Sequence, residues 1–575
     1  MTVQLRSALW FDHPSEETRL QHRSAMRANG HDPESFVGKP IIGLFNSWND
    51  FNSCNAPHKE LVEFVKRGVL LGGGYPIELH TITTPADLMK ESDLPYRNLM
   101  AMDVEELARS LPIDGLVLLC ECDKTTPAQL MAAASVDLPA LQLAAGHRNA
   151  GVFRGKKVNA GTDLWTFMDG YRAGLHTDGD LAELETCLSC SQGGCPVMGT
   201  ASTMKSMAEM LGMMLPGTSS IPASHAGRKQ AAEKTGKRIV EMVRERLTPS
   251  RLMTEAAFHN AIKLLAALGG STNAVLHLIA IAGRLGIRLD LEAFAELSRD
   301  VPLLVNLQPS GEYGMDEFHT AGGLSAVIRK LLPLLDAECL TALGESVAAA
   351  YGDAPDYGEV IAELAQPVRR ESGIAVLRGN LAPGGAILKR SASDGTLRFH
   401  RGRAVVFDDY EQMLEQLERD DLEVDAQSVL VLRNCGPVGA GMPEWGAIPL
   451  PKKLLRAGVR DMLRISDARM SGTSYGTVVL HVSPEAALGG PLAAVRDGDW
   501  IEADIGAGTL RLDVPEAEIA ARLRELPPPP RRHRRGYMRM YADHVLQADE
   551  GCDLDFLRPL SKDDAGFVPP VVGRG

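Results

Sequence analysis

The apolar residues of this chain follow one rhythm up to about residue 370 and another after it, and that change constrains the fold more than any other feature. In the first part, short apolar runs alternate with helical patterns. KPIIGLFNSW (39–48) reads as a strand running into a polar loop. HKELVEFVKRGVLLGGG (58–74) reads as a helix, with apolar residues at i, i+3, i+4 spacing and a glycine stop. IDGLVLLC (113–120) and LPALQLAAG (138–146) read as further buried strands. Such alternation predicts a mostly parallel sheet covered by helices. Ligands of such sheets sit beyond the carboxyl ends of the strands, where NSWNDFNSC and CECDK both fall. After about residue 375 the runs GIAVLRGNLAP, GRAVVFDD, SVLVLRNCGP, TVVLHVSPE and DWIEADI are short, β-rich and separated by Gly, Pro and Asp. They predict a barrel or sandwich with a few attached helices. The expected fold class is therefore α/β: a parallel-sheet α/β domain over 1–370, then a β-barrel-like domain with flanking helices over 371–575. LPPPPRRHRRG (526–536) reads as a stiff basic connector to a C-terminal tail that packs on the surface or on a partner subunit.

Charge and cysteine usage narrow the classes of function. The net charge of −14 argues against nucleic acid or an anionic membrane as a partner, but leaves small anionic substrates open because local fields decide those. The most apolar stretch, 261–287, is interrupted by GGSTN and carries Lys263, His277 and Arg284, so it reads as two buried helices around a polar loop rather than a membrane span. MTVQLRSALWFDHPSEE has no apolar signal-peptide core. The nine cysteines are odd in number, which disfavours a disulfide framework and fits a reducing cytoplasm. Six of them precede residue 200, which favours a metal or redox centre in the N-terminal half.

Three of these cysteines stand out by context. Cys54 lies between a strand and a helix, Cys122 lies in CECDK, and Cys195 lies in QGGCPVMGTASTM before a long helical run. Thiolates near helix N-termini have lowered pKa values. Three of them converging from separate loops would hold an iron–sulfur cluster with one iron open to substrate; the plain alternative is three small buried hydrophobes. Cys187 and Cys190 form a lone CxxC pair with no second pair, which favours a structural or incidental role, as for Cys120. Asp123 offers an oxygen ligand to a hard cation such as Mg²⁺, and Lys124 would do so only as a carbamate; spacing alone favours an Asp–Lys pair capping the next helix. Two glycine-rich loops, NCGPVGAGMPEW with Glu444 and RISDARMSGTSYGT with Ser471, each follow an apolar strand and suit either close ligand approach or a hairpin turn.

Taken together, CNAPH (54–58), CDKTTPA (122–128), GGC and MGTASTM (193–204), GGSTNA (269–274), GNLAPGGAILK (379–389), CGPVG and MPE (435–444) and SDARMSGTSYGTVVLHVSPEA (466–486) resemble the dihydroxy-acid and phosphogluconate dehydratase family, the IlvD/Edd family. CDKTTPA and MGTASTM resemble its sugar-acid branch, which includes arabinonate and xylonate dehydratases. The resemblance implies a hydro-lyase that removes water across C2–C3 of a sugar acid and leaves a 2-keto-3-deoxy acid. It implies a [2Fe–2S] cluster, with [4Fe–4S] as the alternative, on Cys54, Cys122 and Cys195. It also implies Mg²⁺ on Asp123, carbamylated Lys124 and Glu444, with Ser471 as the base, and a homodimer or homotetramer with the site between domains. The alternatives are a branched-chain dihydroxy-acid dehydratase and a non-catalytic iron–sulfur or zinc protein.

Two stretches depart from the family pattern. Where the sugar-acid branch carries a glutamate metal ligand, TTPADLMKESDLPYRNL places Ala86, with Asp87 the nearest candidate. A GGP-type loop after the third strand is replaced by AAGHRN (144–149). Both leave the metal shell and the substrate open.

Overall fold

The computed structural model describes residues 4–89, 92–527, 532–559 and 572–573. Strands β1 (Ile41–Asn46), β2 (Tyr75–His80), β3 (Gly115–Leu119) and β4 (Ala140–Leu143) form a parallel sheet in the order β2-β1-β3-β4. Strands β1, β3 and β4 are buried at every position, which is why they read as unbroken apolar runs rather than as alternation. The edge strand β2, YPIELH, is only half-buried and contains a proline, so no strand pattern announces it.

The strand order decides where a ligand can sit. The chain runs from β1 outward to β2, then crosses back so that β3 lies on the other side of β1. The order reverses between β1 and β3, and a crevice opens beyond their neighbouring carboxyl ends. The loop after β1 carries Cys54 and the loop after β3 carries Cys122. Helices His58–Leu71 and Thr125–Val136 follow these loops. The second is buried at nearly every position, as expected of a helix apolar on all sides. The stretch 261–287 forms the predicted pair of buried helices, parts of Glu255–Leu268 and Asn273–Arg284. Among the described residues no helix is long and apolar enough to cross a membrane. A small antiparallel hairpin, β5 (Gly151–Phe153) and β6 (Lys156–Val158), follows the sheet.

The C-terminal runs close into an eight-stranded barrel, which decides between barrel and sandwich. Its strands are β7 (Ala375–Gly379), β8 (Ala382–Leu388), β9 (Phe399–Phe407), β10 (Val429–Leu432), β11 (Arg464–Ser466), β12 (Val478–Ser483), β13 (Trp500–Asp504) and β14 (Thr509–Leu512), in the order β10-β11-β12-β8-β7-β14-β13-β9. GIAVLRGNLAPGGAILK is two strands, the β7–β8 hairpin, and β11 and β14 are too short to show a pattern. Strands β9 to β12 pair in parallel. The loops after β10 and β11 are therefore crossovers leaving adjacent carboxyl ends, not hairpin turns, and this sets the Glu444 and Ser471 loops side by side.

One apolar core lies between the parallel sheet and its helices, and a second fills the barrel. The described part of the tail is built into the first region rather than laid on the surface. Fully buried Asp553 pairs with Arg284 at 2.6 Å, and Arg97 donates to the carbonyls of Gly551 and Cys552. Of the basic connector, residues 528–531 lie outside the described residues.

Candidate active site

Cys54, Cys122 and Cys195 each end a loop that runs into a helix, beginning at His58, Thr125 and Thr200 respectively. Short-range polar contacts bring the three loops together. Asn55 Oδ1 accepts the backbone N–H groups of Glu121 and Cys122 at 2.8 and 3.1 Å, joining the first loop to the second. Gly193 N donates to Ser53 O at 3.0 Å, joining the third to the first. Gly193 has φ +125°, and a Cβ there would lie 2.7 Å from Gly146 O, so this close approach requires glycine.

In CECDK, neighbouring side chains part company. Cys122 and Asp123 line a cavity of about 590 Å³, whereas Glu121 turns inward, where its Oε1 pairs with Lys205 Nζ at 2.7 Å. Both members of that pair are 0% exposed. The second Glu121 oxygen accepts from Gly146 N at 3.0 Å, so the pair fastens helix Thr200–Met210 to the loops after β3 and β4. Lys205→Met strands a buried carboxylate. We expect it to cost about 3–5 kcal/mol, read as a lower urea midpoint, and a wild-type midpoint would contradict this role.

The same cavity is lined by Cys54, Cys195, Asp87, Arg148, Glu444 and Ser471. Its size suits a small polar metabolite. Lys124 is 0% exposed and does not cap the helix that follows; its ammonium pairs with Asp123 Oδ2 at 2.6 Å and Asp93 Oδ2 at 3.7 Å. The capping alternative for Asp123 and Lys124 is thereby removed. Asp87 lies on a short turn, Ala86–Leu88, and it and Ala86 both line the cavity, but only Asp87 carries a side chain that could ligate a metal. Among the described residues no three of His, Cys, Asp or Glu stand close enough together to hold a single metal ion.

Sequence reasoning did not single out Asp93, Arg469 or Asn273. Arg469, two residues before Ser471, donates to Glu444 Oε1 at 2.5 Å and to Asp93 Oδ1, bridging barrel and sheet domains. Asn273, from GGSTNA, donates to Glu444 Oε1 at 3.1 Å and to Met470 O at 3.2 Å. Asp93 Oδ2 is buried and accepts no hydrogen bond. It precedes helix Leu94–Ser110 without capping it, a position that no local motif marks.

The charge balance of the cavity is acidic. Hydrogen bonding to Cys54, then burial, pushes the Cys122 thiol well up, and burial does the same to Cys195. Burial also raises Glu444 against the pull of Arg469, and raises Asp87 against that of Arg148. Burial opposes ionisation of Asp123, but Lys124 and Arg469 outweigh it and hold that carboxyl low. Soft thiols and hard carboxylates together form a donor set suited to two kinds of cation.

Ser471 sits where barrel and sheet domains meet. Its Oγ shares a hydrogen bond of 2.9 Å with Thr473 Oγ1 and accepts the Thr473 N–H at 3.3 Å. Trp165 Nε1 donates to Thr473 Oγ1 at 3.0 Å, and Thr162 donates to Thr473 O at 2.9 Å. A Cβ on Gly472 would lie 2.6 Å from Thr200 N, so glycine lets this loop pack directly on the helix N-terminus. Buried Lys389, whose pKa burial lowers to about 7, donates to Gly472 O at 3.1 Å. Cys187 and Cys190 are free thiols donating to backbone carbonyls, and Cys190 also lines the cavity.

Comparison with known proteins places this arrangement. Residues 39–350 match the dihydroxy-acid/6-phosphogluconate dehydratase N-terminal family, and residues 359–552 match its C-terminal counterpart. The chain is 49% identical to an L-arabonate dehydratase of Azospirillum brasilense, covering 96% of this chain and 97% of the relative. It is 47% identical to a 6-deoxy-6-sulfo-D-gluconate dehydratase of Pseudomonas putida, covering 96% of both. A dihydroxy-acid dehydratase of Thermodesulfovibrio yellowstonii is 38% identical over 93% of this chain and 98% of the relative. The chain belongs to the dihydroxy-acid/6-phosphogluconate dehydratase family, and it is a dehydratase, a hydro-lyase.

Proposed function

We propose that this dehydratase acts on a sugar acid of the pentonate or hexonate type and releases the 2-keto-3-deoxy acid. The observation that carries the reading is the meeting of Cys54, Cys122, Cys195, Asp123, Glu444 and Ser471 on one cavity. Relatives named for sugar acids are 47–49% identical, against 38–39% for those named dihydroxy-acid dehydratases. The lining supports the same choice. Ser53, Ser189, Ser191 and Gln192 offer hydrogen bonds that a polyhydroxylated chain uses and a branched aliphatic chain leaves unmade.

Cys54, Cys122 and Cys195 would hold a [2Fe–2S] cluster, or a [4Fe–4S] one. Asp123, Glu444 and a carbamylated Lys124 would hold Mg²⁺, with Asp87 and Asp93 as further carboxylates. Carbamylation of Lys124 would exchange its ion pairs for like-charge contacts, so it requires a divalent cation among those carboxylates. When bound, the cluster supplies a Lewis acid for the departing C3 hydroxyl, and the magnesium ion supplies positive charge beside the carboxylate and C2 oxygen.

Ser471 Oγ, as the alkoxide, takes the proton from C2. With Trp165 donating to Thr473, the Thr473 hydroxyl is free to donate to Ser471, and the Thr473 N–H adds a second donor. Two donors aimed at one oxygen favour its anionic form. The C2–H electron pair becomes the C2–C3 double bond of an enol, and hydroxide leaves C3 with the C–O pair. The enol then tautomerises to the 2-keto acid. Arg469 keeps Glu444 and Asp93 in place from the barrel side.

A panel of pentonates, hexonates and 2,3-dihydroxyisovalerate, tested with anaerobically purified, iron-replete enzyme, checks the substrate class. Turnover of sugar acids is expected. Turnover of 2,3-dihydroxyisovalerate alone would overturn the reading in favour of the branched-chain alternative.

A further inference from the structure

We propose that Arg148 is a positioning residue for the cysteine-bound group: it ties the Cys54 and Cys195 loops together and donates an N–H to the Cys54 sulfur. This rests on the assignment of Cys54, Cys122 and Cys195 as cluster ligands. Arg148 belongs to AAGHRN, the loop after β4.

The side chain is held on every side. Arg148 is 5% exposed and is the only basic residue lining the cavity among the described residues. Its Nε donates to Gly193 O at 3.0 Å, Nη1 to Ser189 Oγ at 2.9 Å, and Nη2 to Ser53 Oγ at 3.1 Å and Cys54 Sγ at 3.8 Å. Ser53 and Cys54 belong to the loop after β1, and Ser189 and Gly193 to the approach to Cys195. The backbone around Arg148 is equally fixed. Arg148 N donates to Gly194 O at 2.8 Å, and the neighbouring His147 Nε2 meets Asp316 Oδ1 at 3.0 Å.

This donor count decides between two roles. A guanidinium carries five N–H groups, and four here are committed to protein acceptors, which leaves too few for the bidentate grip on a substrate anion. What remains is a fixed positive charge and an N–H···S contact beside one sulfur ligand. Both withdraw electron density from sulfur, which raises the reduction potential of a cluster and the Lewis acidity of its iron.

The test uses full-length wild type, Arg148→Met and Arg148→Lys, purified anaerobically and reconstituted with iron and sulfide. Iron and sulfide per chain are measured, and the midpoint potential is read by mediated dithionite titration followed by absorbance and EPR. The methionine variant is expected to titrate at a more negative potential than wild type. The lysine variant, which keeps charge without the fork, is expected between them. A folded methionine variant that loses its cluster while the lysine variant keeps it also supports the tie. If the methionine variant does not fold, the lysine variant decides by the same criterion. Midpoints equal to wild type overturn the proposal, including the case in which only KM for sugar acids changes. A wild-type protein that takes up no iron–sulfur cluster refutes the underlying ligand assignment instead.

Discussion

Replacing Ser471 with alanine is expected to leave the iron content and visible absorbance of the protein unchanged while kcat falls by roughly 10²- to 10⁴-fold, the range that a positioned general base contributes. The substitution removes a single oxygen. The backbone of 471–474 keeps its contacts, because Thr473 is anchored independently by Thr162 and Trp165 and Gly472 by Lys389. The loss should therefore fall on kcat, with KM little changed. Turnover at the wild-type rate would remove Ser471 from the reaction, and the C2 proton would then need another acceptor.

Replacing Cys122 with serine is expected to abolish both the bound iron and the activity, with activity falling below detection. Cys122 is buried at the crevice between β1 and β3, and its thiol already interacts with Cys54. Serine fits the same space but offers a poor ligand to iron, so the chain should still fold. Iron and acid-labile sulfide per chain measure the outcome. Cys187→Ser, at a thiol that donates to the Leu184 carbonyl and does not line the cavity, serves as the control and should keep its iron. Full iron and full activity in the Cys122 variant would refute the ligand set and the mechanism built on it.

Much of the architecture could be read before any coordinates. The strands β1, β3 and β4 are apolar at every position because both faces of the sheet are covered, and that pattern is visible locally. The strand β2 was not visible, because an edge strand needs no unbroken apolar run and tolerates Pro76. β11 was missed for a different reason: three residues cannot display a period of two. At the site, the three cysteines stood out by their loop contexts, while Asp123, Glu444 and Ser471 were singled out as site residues through the resemblance of their motifs to a known family. Asp93 and Arg469 were not. Each looks like an ordinary surface charge until the other, 376 residues away, is seen to pair with it.

The sequence by itself determined the two-part architecture, because burial patterns are local properties, and its resemblance to a known family indicated the class of chemistry and the loops that carry it. Only the tertiary structure decided which loops meet. The reversal of strand order between β1 and β3 and the parallel run from β9 to β12 are set by pairings between distant segments. Those pairings bring Cys54 beside Cys122, Glu444 beside Ser471, and Arg148 against a cysteine 94 residues before it. No local pattern encodes such distances, since they follow from how whole layers pack rather than from the residues at the site.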